Sequence, residues 1–211
     1  MITNSFDEAH FSVIAENIKR IKEEIAEATI KSNRSVDDVR LMAVTKTVCT
    51  EYINYAIENC GIDLIGENKV QEFLSKKDLL KLDNVEKHLI GHLQTNKVKK
   101  IVSEVDMIQS VDSLRVAQAI SNEANKLGID ANVLLEINIG DEDSKTGFDM
   151  AEFEESLIQM SLLPNLKVNG LMTIPPICEN SLELEKYFDR NGSDESWYIY
   201  YVEEDNEPRF E

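Results

Sequence analysis

The chain has 211 residues, 40 acidic against 22 basic, for a formal charge of −18; that is enough chain for one domain with a full core. So acidic a balance argues against a general nucleic-acid binder and against docking on anionic lipid, since both need basic patches. No apolar run approaches the ~20 residues that span a bilayer, MITNSFDEAHF has no basic-then-apolar leader, and Cys49, Cys60 and Cys178 show no CxxC spacing. The chain therefore reads as cytoplasmic.

Ile14, Ile18, Ile21 and Ile25 recur at helical spacing among lysines and glutamates, which predicts a first helix over 9 to 30. A turn over 35 to 40 follows. One pattern then repeats: a short apolar run, a helix, and often a glycine stop. LMAV (41–44), DLI (63–65), KHLI (87–90), DMIQ (106–109), NVLLEI (132–137) and LKVNGL (166–171) read as strands. Helices are expected from a Thr50 cap to Cys60-Gly61, over 68 to 80, over 95 to 103, from an Asp112 cap to Gly128, over 150 to 161 and over 181 to 190. Strands alternating with helices predict an α/β fold with a parallel sheet. An open doubly wound sheet and a (β/α) barrel both fit. No GxGxxG follows the first strand, so a dinucleotide site has no support. Polar residues follow several different strands, at Lys46, Glu67-Asn68, His92, 138 to 143 and Met172-Thr173. A circular rim collects such contributions best, which favours the barrel.

Lys46 is the sharpest of these. It closes an apolar strand, where partial desolvation disfavours the ammonium, and a neutral amine is what condenses with a carbonyl. Spacing alone favours a lysine that buries its stem and reaches back to water. In GEN (66–68), Glu67 and Asn68 offer an acceptor and an amide at the rim; Asn68 also suits a helix cap. His92 fits rim or core equally. Lys97, Lys99 and Lys100 read as a solvated helix face. Asp141, Glu142 and Asp143 lack calcium-loop spacing, while a Lys145-Gly147 turn suits either an anion or plain solvent. A metal-dependent hydrolase finds only His92 well placed among ligands.

AVTK, GENKVQE, HLIGHLQTNKVK, IQSVDS, NIGDEDSKTGF and GLMTIPP follow one another in order. Each is weak alone. The ordered set, from about 9 to 190, closely resembles the pyridoxal phosphate (PLP) homeostasis proteins, single-domain relatives of the N-terminal barrel of alanine racemase. The resemblance implies a PLP fold-type III barrel over 1 to 190, with Lys46 as the Schiff-base lysine. It further implies that Asn68 and His92 line the pocket and that Met172 lies near the cofactor ring. It implies a carrier or buffer of the cofactor, handing it to apo PLP-dependent enzymes, with no catalytic turnover.

The end of the chain departs from that family. The serine- and methionine-rich glycine motif and the arginine-glycine phosphate loop, expected on seventh and eighth strands, have no counterpart in the acidic stretch 191–211, NGSDESWYIYYVEEDNEPRFE. The barrel is accordingly expected to be incomplete there, with weakened phosphate binding. SWYIYYV (196–202) is apolar enough for one replacement strand. Two other readings follow: a non-binding remnant or interaction module, and an amino-acid racemase, whose second base comes from a further domain in alanine racemase.

Overall fold

The computed structural model describes residues 9–138, 147, 148 and 150–175. These fall into two compact units, one ending at Leu89 and the other beginning at Ile90. The expected helix over 181 to 190, the tail 191–211, the candidate strand 196–202, Cys178, residues 141–143 and Lys145 lie outside the described residues.

The first unit opens with helix α1 (His10–Lys31). It continues with strand β1 (Ala43–Val44), helix α2 (Thr50–Cys60), strand β2 (Leu64–Glu67), helix α3 (Val70–Lys76) and strand β3 (Glu86–Leu89). β1 pairs with β2, and β2 with β3, all parallel. Parallel neighbours need a crossover, and α2 and α3 supply it. Gly61 ends α2 with φ 63°, the left-handed C-cap that glycine adopts without strain.

The same unit shows which way each strand residue faces. Ala43 and its register partner Ile65 belong to a cluster with Ile53, Ala56 and Ile57 of α2. Odd-numbered positions of β1 and β2 therefore face the helices. Period-two alternation turns Val44, Leu64 and Gly66 to the opposite face, along with His88, which lies in register with Gly66.

The second unit holds helix α4 (Val98–Ile101), strand β4 (Met107–Val111), helix α5 (Leu114–Leu127), strand β5 (Ala131–Ile137), helix α6 (Met150–Ser161) and strand β6 (Leu166–Thr173). β4 pairs with β5, and β5 with β6, again parallel. Val133, Leu134, Leu135 and Met172 are fully buried, as are Ala117, Ile120 and Ala124 of α5 and Met160 of α6.

Three expected helix starts differ. Cys49, not Thr50, occupies the N-cap of α2, and Thr50 is the first helical residue. Lys69, extended at φ −122°, precedes α3, so Asn68 is not its cap. Ser113 precedes α5 in place of Asp112, because the Asp112 carboxylate is committed elsewhere. The predicted helix over 68 to 80 breaks into α3 and a 3-10 turn, Lys77–Leu79. That over 95 to 103 divides likewise, into Thr95–Lys97 and α4.

Candidate functional site

Lys46 lies in a tight turn directly after β1, half-buried. The Val48 amide donates to the Thr45 carbonyl at 3.2 Å, which makes Lys46 and Thr47 the two central residues. Thr47 has φ 61°. Glycine or asparagine usually fills such a position. For a β-branched residue it is a true outlier, costing about 1–3 kcal/mol, and such strain concentrates at functional sites.

Side chains from α3 hold this turn. Lys76 Nζ donates to the Thr45 carbonyl at 2.9 Å, to Glu67 Oε1 at 3.0 Å and to Glu72 Oε1 at 2.6 Å. Glu72 Oε1 also accepts from the Thr47 amide at 2.6 Å. Thr45 Oγ1 donates to Glu67 Oε1 at 2.9 Å, and the Thr45 amide donates to the Gly66 carbonyl at 2.9 Å. The cluster is largely closed to water: the side chains of Glu67, Lys76 and Glu72 are 2%, 14% and 21% exposed. Burial pushes the Glu67 carboxyl up, and the bonds from Lys76 and Thr45 do not cancel that push. At Glu72 burial also pushes up, but Lys76, the Thr47 amide and the charge of Lys69 outweigh it, and the net direction is down. One lysine thus serves two carboxylates of opposite tendency.

Glu67 is a correction to the sequence reading. It does not open at the rim but turns toward α3, on the helix side of β2. Lys46 and Asn68 lie two residues beyond the registered pair Val44 and Gly66. Among the described residues no ion pair or side-chain hydrogen bond occupies Lys46 Nζ or the Asn68 amide. Lys46 and Asn68 thus follow the ends of the neighbouring strands β1 and β2.

His92 and Met172 belong to the second unit. Ser110 Oγ donates to the Gly91 carbonyl at 2.7 Å, and Asp112 Oδ2 lies 2.7 Å from His92 Nδ1. Ser110 and Asp112, alternate residues running off β4, thus fix the loop that carries His92. A carboxylate only accepts, so Nδ1 carries the proton in this bond. The His92 side chain is 52% exposed, which decides for rim over core. His92, Gln94, Asn96, Asp112 and Arg115 line a pocket of about 690 Å³ that Gly147 also borders. Met172 is fully buried in β6, in register with Glu136. His88, by contrast, is a buried strand residue bonded to Glu86 at 2.9 Å.

Sequence reading did not single out Thr45, Thr47, Glu72 or Lys76. The available signal was the Glu72-Lys76 spacing of four, which on a helix puts a carboxylate beside an ammonium.

Parallel strands, helical crossovers and polar residues gathered after the strands define a class of α/β proteins that build sites at strand ends. Residues 11–192 match the family "Alanine racemase, N-terminal domain", and the chain belongs to it. The fold class is accordingly α/β, of the barrel type of that domain. The chain is 41% identical over 173 residues to the pyridoxal phosphate homeostasis protein of Aquifex aeolicus, covering 82% of this chain and 75% of the relative. It is 36% identical over 165 residues to the protein of that name from Escherichia coli K12, covering 77% and 70%. Among solved structures, PipY of Synechococcus elongatus PCC7942 with PLP bound aligns at 32% identity and TM-score 0.67, covering 79% of this chain and 77% of that one. Alanine racemase from Corynebacterium glutamicum aligns at 18% identity and TM-score 0.62, covering 85% and 48%, and shares the fold.

Among the described residues no cluster of His, Cys, Asp or Glu is arranged to hold a metal ion. No helix there is long and apolar enough to cross a membrane.

Proposed function

We propose that this protein binds pyridoxal phosphate covalently through Lys46. We further propose that it takes part in cytoplasmic homeostasis of that cofactor, as a carrier or buffer without catalytic turnover. The carrying observation is the state of Lys46: a half-buried lysine just past a strand end, with its flanking peptide groups held by Lys76 and Glu72 and its own Nζ unengaged among the described residues. The residues fit the group. When bound, the cofactor supplies an aldehyde that condenses reversibly with a primary amine, and a reversible bond suits storage and release.

Asn68, just past the end of the neighbouring strand, would supply an amide able to donate and accept. His92, its tautomer set by Asp112, and Met172, a buried apolar side chain, complete the proposed set of cofactor-binding residues. The binding domain on this reading spans 1–190, with 191–211 a tail outside it. Recipients would be apo enzymes that use the same cofactor. The relatives named above for PLP homeostasis, and PipY with PLP bound, support this reading.

Titration with pyridoxal phosphate, followed by visible absorption, tests it. The wild type is expected to develop the band of lysine-bound cofactor, and Lys46→Ala to lose it entirely. An equal band in Lys46→Ala would reject Lys46 as the attachment point.

A further inference from the structure

We infer that Glu72 and Lys76 are positioning residues for Lys46, together clamping the peptide groups on either side of it. The inference rests on Lys46 being the attachment point, but its geometry stands independently. The peptide between Thr45 and Lys46 presents its carbonyl to Lys76 Nζ at 2.9 Å. The peptide between Lys46 and Thr47 presents its amide to Glu72 Oε1 at 2.6 Å. Glu72 and Lys76 are one helical turn apart and bond each other at 2.6 Å. Two side chains of one helix thus take both backbone groups that flank a single residue, and they leave that residue's own side chain alone.

The clamp also accounts for Thr47. A threonine at φ 61° persists only where the surroundings hold it. The Thr47 amide is held by an ionised, partly buried acceptor, among the stronger hydrogen bonds a protein makes. The bonds to the Thr45 carbonyl and the Thr47 amide fix the two peptide planes that meet at Lys46, and so the backbone position from which its side chain starts. Glu67 anchors the other end: its Oε1 accepts from Lys76 and from Thr45 Oγ1, tying α3 to the end of β1. A misdirected nucleophile reacts slowly, because displacement by about 1 Å costs up to about a hundredfold in rate.

The test compares full-length wild type, Glu72→Ala, Glu72→Gln and Lys76→Met. Two measurements need no cofactor: hydrogen exchange at the Thr47 amide, and trace acetylation of Lys46 by acetic anhydride as a function of pH, with exposed Lys99 as internal reference. The third is the rate at which pyridoxal phosphate attaches to Lys46. In the wild type the Thr47 amide is expected to exchange slowly. In Glu72→Ala it exchanges faster, the Lys46-to-Lys99 acetylation profile shifts, and attachment slows by roughly ten- to a hundredfold. Glu72→Gln, whose amide oxygen still accepts from Thr47, recovers part of each, which a general loss of stability would not produce. Rapid Thr47 exchange in the wild type would overturn the clamp even if every variant failed to fold. So would folded Glu72→Ala and Lys76→Met proteins with unchanged Lys46 reactivity. If the wild type attaches no cofactor at Lys46, the proposed function falls, while exchange and acetylation still decide the clamp.

Discussion

Lys46 is an ordinary residue made particular by what surrounds its backbone. An apolar run ending in lysine made it legible in the sequence. The clamp was not, because nothing in the sequence places Glu72 and Lys76 of α3 against the backbone at the end of β1. His92 is a similar case: its neighbours in sequence left rim and core equal, and its 52% exposure in the fold decides against the core. At the same scale, Gly147 has φ 119°, and a Cβ there would stand 2.8 Å from the Asn138 amide nitrogen. Gly147→Ala is expected to cost about 1–3 kcal/mol through backbone strain, measured by thermal denaturation. A substitution without effect would mean that the chain relaxes away from β5 at little cost.

Elements were legible where a period was strong. Each of the six apolar runs holds a strand, the first only at Ala43–Val44 of 41–44, and α1, α2, α5 and α6 lie where helical spacing and glycine stops put them. Their ends were less legible, because pairing with a neighbour, not apolarity, sets where a strand stops. β2 runs on to Glu67 since Leu89 of β3 lies in register with it. β4 likewise carries on through Ser110 to Val111, both buried. Since β5 is buried along nearly its whole length, Leu134→Ala should leave a cavity and destabilise by about 2–5 kcal/mol. Urea titration reads this, and a loss below about 1 kcal/mol would show that the site collapses around the gap.

An ion-pair group also belongs to the element scale. Glu86, which opens β3, bonds Arg40 and, at 2.9 Å, His88. Burial pushes its carboxyl up, but the Arg40 and His88 bonds outweigh it, and the group sits below its ordinary 4.5. A depressed carboxyl contributes stability above its ordinary value and loses it as pH falls through its folded value. The gap in melting temperature between wild type and Glu86→Gln should therefore be widest near neutral pH and close below about 4.5. A gap independent of pH would assign the effect to packing.

At the scale of the whole molecule, the charge of −18 argues against classes of partner without naming one. The family became legible only through motifs taken as an ordered set. Alternation of strands and helices predicts an α/β fold but does not distinguish a cofactor carrier from any other protein of that class. That distinction rests on one amine. The most direct measurement is borohydride reduction of the protein incubated with pyridoxal phosphate, followed by peptide mapping. Reduction is expected to fix one cofactor on the peptide bearing Lys46 and on no other, and Lys46→Arg is expected to remain unmodified. Labelling scattered over exposed lysines such as Lys99 and Lys100, with Lys46 unmodified, would contradict the account and leave a protein with this fold that does not hold the cofactor.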